Sequence, residues 1–343
     1  MSCLLLPCFG LLLLLVLRSG AGKSMHPLID AEENATHLFV DDHFTEHSSG
    51  VEFVVHQPRR TNERSIIPEM PWEPHIAAYN SVVQAGPEDY RIYYDAIGPT
   101  WRLLCVAVSR DGVVWSKPSL GLNEFNGSTS NNIILGGDGK NRSVSPGNVF
   151  VDTNPATASA HRFKLNVYLH PGHEMGGVYV FGSADGFRFE RLSGPHIRFS
   201  DTQAVMFYEK RRAKYAIYFR THMGRPDRAV CHDGEPPARS VARLEVENLA
   251  VKSWGFGDHT QEAGNTTVFN IDAYDNASQD VYTSGATQIA DATFLFPMMY
   301  FHCSMLATSE RFKCATSVPQ RPPPTLCSDD PFLWSLTCCL LPL

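Results

Sequence analysis

Beyond its N-terminal leader the sequence has no apolar run approaching the roughly 20 residues that a membrane-spanning helix needs. No stable membrane span is therefore expected. Basic residues are also short: 29 Lys and Arg face 36 Asp and Glu, a formal charge of −7. Binding a phosphate backbone requires clustered Lys and Arg, so no nucleic-acid partner is expected. Charged residues make up only 19% of the chain, while 43% is hydrophobic and 11% aromatic. A disordered chain is less apolar than this, and a coiled coil is richer in Ala, Glu and Lys. Nowhere do apolar positions keep a 3.6-residue period over about 15 residues, which excludes long amphipathic helices. HExxH, GxSxG and Walker-type motifs are missing. His170 and His173 lie three apart, but Pro171 and Gly172 between them make a loop, and no third ligand is evident. No metal and no cofactor are expected.

The N-terminus reads as an address. Leu11–Leu17 is an unbroken apolar block, followed by Arg18 and by the small residues Ser19 and Ala21. That order suits a signal peptide over 1–21, cleaved after Ala21. Without Arg18 the balance becomes 28 against 36, a charge of −8. Five Asn-X-Ser/Thr sequons at Asn34, Asn126, Asn141, Asn265 and Asn276 agree with a secreted glycoprotein. Nine cysteines become seven once Cys3 and Cys8 leave, an odd number that cannot all pair within one chain. Cys105 sits in an alternating apolar stretch and reads as a buried thiol, and Cys231 with Cys303 is one conceivable pair. Composition sets no oligomeric state.

What is abundant is strand. Tyr90–Ala96, Arg102–Ser109, Phe163–Leu169, Gly177–Gly182 and Lys214–Arg220 are short and rich in aromatic and β-branched residues. Clusters of Gly, Pro, Asn and Asp separate them, as turns require. The expected class is all-β. A motif also repeats: Ser109-Arg-Asp-Gly-Val-Val-Trp115 returns as Ser183-Ala-Asp-Gly-Phe-Arg-Phe189. Each copy follows a strand pattern, supplies an Asp-Gly turn and ends on an aromatic. Asp-Gly turns tightly because Gly accepts positive φ and Asp bonds its own backbone. Val241–Trp254 is a weaker echo. Strand-turn-strand units at a long period predict a β-propeller.

Leu38-Phe-Val-Asp-Asp42, Pro71-Trp-Glu73, the Ser109–Gly121 stretch, Phe125–Ile133 and Asn148-Val-Phe-Val-Asp152 together resemble a secreted five-bladed propeller group. The resemblance runs on through Asp201-Thr-Gln203, Lys214–Arg220, Asp280–Thr283 and Phe294–Pro297, with Tyr300 and His302. The group lies in the propeller superfamily of invertases, levansucrases and arabinanases, the fold of glycoside hydrolase families 32 and 43. The Ser-x-Asp-Gly turn lacks the extra residue of a sialidase Asp-box, so sialic-acid chemistry is not inferred.

The resemblance implies hydrolysis of glycosidic bonds in an oligo- or polysaccharide by carboxylates facing the central channel. Such cleavage needs one carboxyl to protonate the leaving oxygen and another as nucleophile or base. Asp42 ends a Leu-Phe-Val strand where the superfold places its base or nucleophile, and only one of Asp41 and Asp42 can face the channel. Asp152 resembles a supporting acid, and Asp201 and Glu73 are the candidates for the general acid. Glu73 could instead pair with Arg59 or Arg60. Trp72 and Trp101 offer sugar-stacking rings and Gln203 a polar contact, while Trp115 suits packing between strands. The alternative is a non-catalytic carbohydrate-binding or scaffold propeller. The propeller is expected over 30–303. From 304 to 343 a Pro- and Cys-rich stretch reads as an irregular tail unrelated to it, in place of a last blade, as in an inactive truncated isoform.

Overall fold

The computed structural model describes residues 47–341 except 53, 55, 57–58, 60, 78, 137–143, 170–175, 199, 224–237, 255–265, 272–278, 290–291 and 302–338. The expected signal peptide, Asp42, His170, His173 and the sequons at Asn34, Asn141, Asn265 and Asn276 lie outside the described residues. The chain divides into the units Met1–Gln57 and Pro58–Leu343. Described residues of the first unit, among them Val51 and Val54, are exposed and in no strand. All the described strands lie in the second unit.

That unit is built from antiparallel sheets. In the first, β1 (His75–Ile76) and β2 (Ser81–Gly86) share one edge of β3 (Asp89–Ile97), which continues to β4 (Arg102–Ser109) and β5 (Ile133–Leu135). The second runs β6 (Val144–Val151), β7 (Phe163–Leu169), β8 (Gly177–Ser183) and β9 (Glu190–Ser193) in order. The third repeats this with β10 (Val205–Glu209), β11 (Lys214–Met223), β12 (Ala238–Val246) and β13 (Thr267–Phe269). The fourth holds β14 (Gln279–Ile289), β15 (Ala292–Phe301) and β16 (Cys339–Leu341). The five strands expected from the sequence coincide with β3, β4, β7, β8 and β11 to within a few residues.

Successive sheets meet through their first strands: β2 lies beside β6, β6 beside β10 and β10 beside β14. Side chains stitch these inner strands together. Ser81 Oγ accepts from the Val149 amide at 3.2 Å, and Asn148 exchanges two bonds of 2.8 and 2.9 Å with the Met206 backbone. Thr283 Oγ1 donates to the Gln203 carbonyl at 3.1 Å. Successive antiparallel meanders, innermost strand first, are the propeller layout, and four blades lie among the described residues.

Apolar clusters fill the spaces between blades because both faces of each sheet are covered. Tyr93, Leu104, Val106, Val149, Phe163 and Leu165 pack between the first and second blades. Val178, Val180, Met206, Ile217 and Phe219 pack between the second and third, and Tyr218, Val241, Val281 and Leu295 between the third and fourth. Strand alternation explains the near-continuous apolar run of β3: Tyr93 faces one cluster, while Ile92, Tyr94 and Ala96 face another. Cys105, the buried thiol, lies in that second cluster and is unpaired.

The repeated motif occupies equivalent places, after the third strands of two successive blades. Asp111 Oδ1 accepts from the Val113 and Val114 amides, and Asp185 Oδ1 from those of Phe187 and Arg188. In both copies the serine Oγ lies 2.9 Å from the glycine amide, and Gly112 and Gly186 adopt φ of +74° and +75°. The second copy also docks on the first blade. Tyr93 OH donates to the Gly186 carbonyl at 2.9 Å, and Arg91 to that of Asp185.

Cys339–Leu341 pairs antiparallel with Thr293–Leu295, so this stretch contributes a strand to the fourth sheet. The free edge of β15 presents unpaired backbone groups, and a short apolar segment satisfies them.

His196 carries a pH dependence. Its ring stacks on Trp254 with centroids 3.8 Å apart, and Nδ1 is buried without a partner. Burial lowers its pKa from 6.5 to about 4. Between those values the unfolded state takes up a proton that the folded state refuses, so stability contributed by the neutral ring is lost as pH falls. The expected result is a Tm that drops between pH 6.5 and 4, with the drop reduced in His196→Phe; thermal melts at stepped pH check it.

Candidate functional site

The inner strands converge at the end of the blades where β2, β6, β10 and β14 begin, and charged and aromatic side chains gather there. Tyr79 lies in the interruption between β1 and β2. Its φ is +71°, a left-handed conformation that costs a bulky residue about 1–3 kcal/mol and tends to occur at functional positions. The backbone break turns the tyrosine into the mouth, where it is buried. Arg102 lies over its ring, with Cζ 5.2 Å from the centroid. The Tyr79 hydroxyl meets that of Tyr282 from the fourth blade. Burial, reinforced by this neighbour, pushes the Tyr79 pKa far up, so its phenol stays protonated in neutral solution.

Arg102 is fixed by Asp95. Its Nε and Nη2 reach the carboxylate at 2.5–3.0 Å, and Nη1 donates to Ser145 Oγ at 2.8 Å across to the second blade. The Asp95 side chain is 0% exposed. Burial pushes its carboxyl upward and the guanidinium opposes that shift. A wholly buried carboxylate cannot touch a ligand, so Asp95 positions Arg102.

A second pair stands on the third blade. Arg220, near the end of β11, has a side chain only 8% exposed and donates through Nη2 to Asp201, which is half exposed. Arg220 and Arg239 both lie over the Tyr282 ring, with Cζ atoms 5.6 and 5.5 Å from its centroid. The mouth thus combines Tyr79, Asp95, Arg102, Asp201, Arg220 and Tyr282 from the first, third and fourth blades.

Of the acids singled out in the sequence, the described ones, Asp152, Asp201 and Glu73, are not brought together. Asp201 is at the mouth. Asp152 follows the far end of β6, seven residues beyond Ser145, or roughly 20 Å along an extended strand. Its carboxylate is 0% exposed and accepts from Lys164 Nζ at 2.8 Å, Thr157 Oγ1 at 2.6 Å and Tyr215 OH at 2.8 Å. Such a carboxylate ties one blade to the next. Glu73 is on the outer face of the first blade, where it accepts from Tyr94 OH and, at 2.7 Å, from Lys117 Nζ. Among the described residues Lys117, in the loop after β4, is its cationic partner, and Arg60 lies outside the described residues.

The two tryptophans belong to the same outer face. Trp72 donates to Asn132 Oδ1 at 2.9 Å and Trp101 to the Trp72 carbonyl at 3.2 Å. Both rings pack edge-on against Phe125, at 6.0 and 5.2 Å, and Trp115 joins the same cluster. With their N–H groups and rings satisfied internally, Trp72 and Trp101 form wall rather than an open platform. Gln203 lies near the mouth but donates to the Gly147 carbonyl at 3.1 Å, bridging inner strands. Asn126 is exposed in a tight turn with φ of +50°.

Sequence reasoning passed over Tyr79, Asp95, Arg102, Arg220 and Tyr282. Asp95 and Arg220 left a signal, since each interrupts an apolar strand run, and a charge buried in a sheet needs a partner. The left-handed Tyr79 left none.

Among the described residues no helix is long and apolar enough to cross a membrane. No protein-family model and no curated protein matches the sequence. Solved structures similar to it include a BT0996–RGII complex (13% identity, 66% of this protein and 66% of that one, TM-score 0.43). Another is the α-L-arabinanase of Cellvibrio cellulosa complexed with arabinohexaose (12%, 70% and 76%, 0.42). A third is the GH32 β-fructofuranosidase of Bombyx mori (13%, 65% and 43%, 0.36).

Proposed function

We propose that this protein is a secreted, glycosylated propeller that binds carbohydrate at the mouth of its inner strands and hydrolyses glycosidic bonds there. The observation that carries the reading is the convergence on one end of the blades of a solvent-reachable carboxyl, Asp201, with Tyr79, Arg102, Arg220 and Tyr282. Polar groups fixed by buried partners bind sugar hydroxyls without reorganising, which favours a strained transition state over a flexible ground state. Asp201 supplies one of the two carboxyls that cleavage requires, and Asp42 is the candidate that the sequence alone offers for a second. Secretion is supported by the leader that ends at Ala21 and by the five sequons, of which Asn126 is exposed.

A second reading has an observation of its own. Among the described side chains the mouth presents a single solvent-reachable carboxyl, because Asp95 is sealed behind Arg102. A non-catalytic carbohydrate-binding propeller needs no more than that. Turnover of an oligosaccharide panel by the full-length protein, by Asp201→Asn and by Asp42→Asn separates the two. For a hydrolase each variant loses about a hundredfold or more in rate while retaining glycan binding. Binding without turnover by the wild-type protein supports the second reading, and absence of both removes the mouth as a carbohydrate site.

A further inference from the structure

The geometry points to an acidic sugar, one carrying a carboxylate, as the ligand of the mouth. This inference rests on the reading of the mouth as a glycan site and adds the chemical class of glycan.

Arg220 carries it. The guanidinium is more than nine-tenths buried, yet its Nε has no hydrogen-bond partner among the described residues. Buried donors in folded proteins are almost always paired, and a cationic N–H left alone is among the costliest exceptions. Among the described residues the carboxylate beside it is Asp201, which engages Nη2 alone and is half exposed. Nε and Nη2 form a planar edge that fits the two oxygens of a carboxylate. Asp201 thus fills half of a two-pronged site and can swing into solvent to release it.

The surroundings favour the same charge. Arg220 and Arg239 share the Tyr282 ring, and Arg102 stands over Tyr79, whose hydroxyl meets that of Tyr282. A neutral sugar offers that edge only uncharged hydroxyl oxygens, weaker acceptors without the matching two-oxygen geometry. A sugar carboxylate takes both donors, displaces Asp201 and leaves the ring hydroxyls to the tyrosines. The left-handed backbone at Tyr79 is the local cost of placing its phenol there.

Three trisaccharides titrated calorimetrically into the full-length protein test this: one of uronic acids, its carboxyl-reduced counterpart, and a sulfated neutral one. The uronic-acid ligand is expected to bind about tenfold or more tightly than its reduced form. Arg220→Lys keeps the charge but loses the planar edge, and is expected to abolish that advantage. Should Arg220→Lys fail to fold, Asp201→Asn serves instead: removing the internal competitor is expected to tighten uronic-acid binding severalfold. Equal affinity for the uronic and reduced sugars, an advantage that survives in Arg220→Lys, no gain in Asp201→Asn, or a preference for the sulfated sugar overturns the inference. Neutral sugars binding without a carboxylate preference leaves the glycan reading standing, whereas failure of all three ligands removes that reading as well.

Discussion

Asp152→Ala is expected to lose about 3–5 kcal/mol of stability, the usual consequence of leaving one member of a buried ion pair alone. The Asp152 carboxylate is wholly buried, and Lys164, its cationic partner, is 7% exposed. Removing the carboxylate strands that ammonium and also releases Thr157 and Tyr215. Tyr215 belongs to the core between the second and third blades, so the loss spreads into packing. Denaturant titration of the variant reads the effect. The same experiment decides what kind of residue Asp152 is: glycan binding per folded molecule stays at the wild-type level, because the carboxylate lies at the opposite end of β6 from the mouth. A variant of native stability that has lost turnover would instead make Asp152 part of the reacting machinery.

Asp95→Ala is expected to be comparably damaging, again by about 3–5 kcal/mol. Arg102 makes three contacts with this carboxylate and has a side chain 19% exposed, too little for water to replace them. The effect differs from that of Asp152 in reaching the mouth. Freed from Asp95, Arg102 loses its position over Tyr79 and its bond to Ser145, so glycan affinity falls together with stability. The double variant Asp95→Leu/Arg102→Met separates the two consequences. Apolar replacement of a whole buried pair is often neutral or stabilising, so stability recovers in the double variant while glycan affinity does not. Denaturation and glycan titration of the single and double variants check this. Recovery of both would show that Arg102 serves the fold alone.

Much of the fold was legible in the sequence. The strands could be read because a sheet buried on both faces demands runs such as Tyr90–Ala96 and Lys214–Arg220, and such runs fit no other element at that length. The repeated Ser-x-Asp-Gly turn could be read because its bonds are local: each serine and aspartate satisfies amides two or three residues away. Cys105 was legible as a buried thiol for the same reason as its strand. The contribution of Cys339–Leu341 to the fourth sheet was not, since three apolar residues after a Pro-rich stretch have no periodicity to read.

The site was far less legible. Aspartates at strand ends look alike in sequence whether they face a channel or tie two blades together. Asp201 and Asp152 both close or open an inner strand, yet one is half exposed at the mouth and the other is sealed by Lys164. Glu73 and Trp72 were attractive as neighbours, but their partners, Lys117 and Asn132, come from 44 and 60 residues further along.

By itself, then, the sequence determined that this is an all-β protein of short strands and repeated Asp-Gly turns, because those features depend on alternation and on hydrogen bonds within a few residues. Only the tertiary structure decided which charges meet. A strand carries side chains to two faces and two ends, and sequence order does not say which ends of which blades converge. Their convergence puts Arg102 and Arg220 beside Tyr79 and Tyr282, and sends Asp152 to the opposite end of the blades and Glu73 to the outer face of the first.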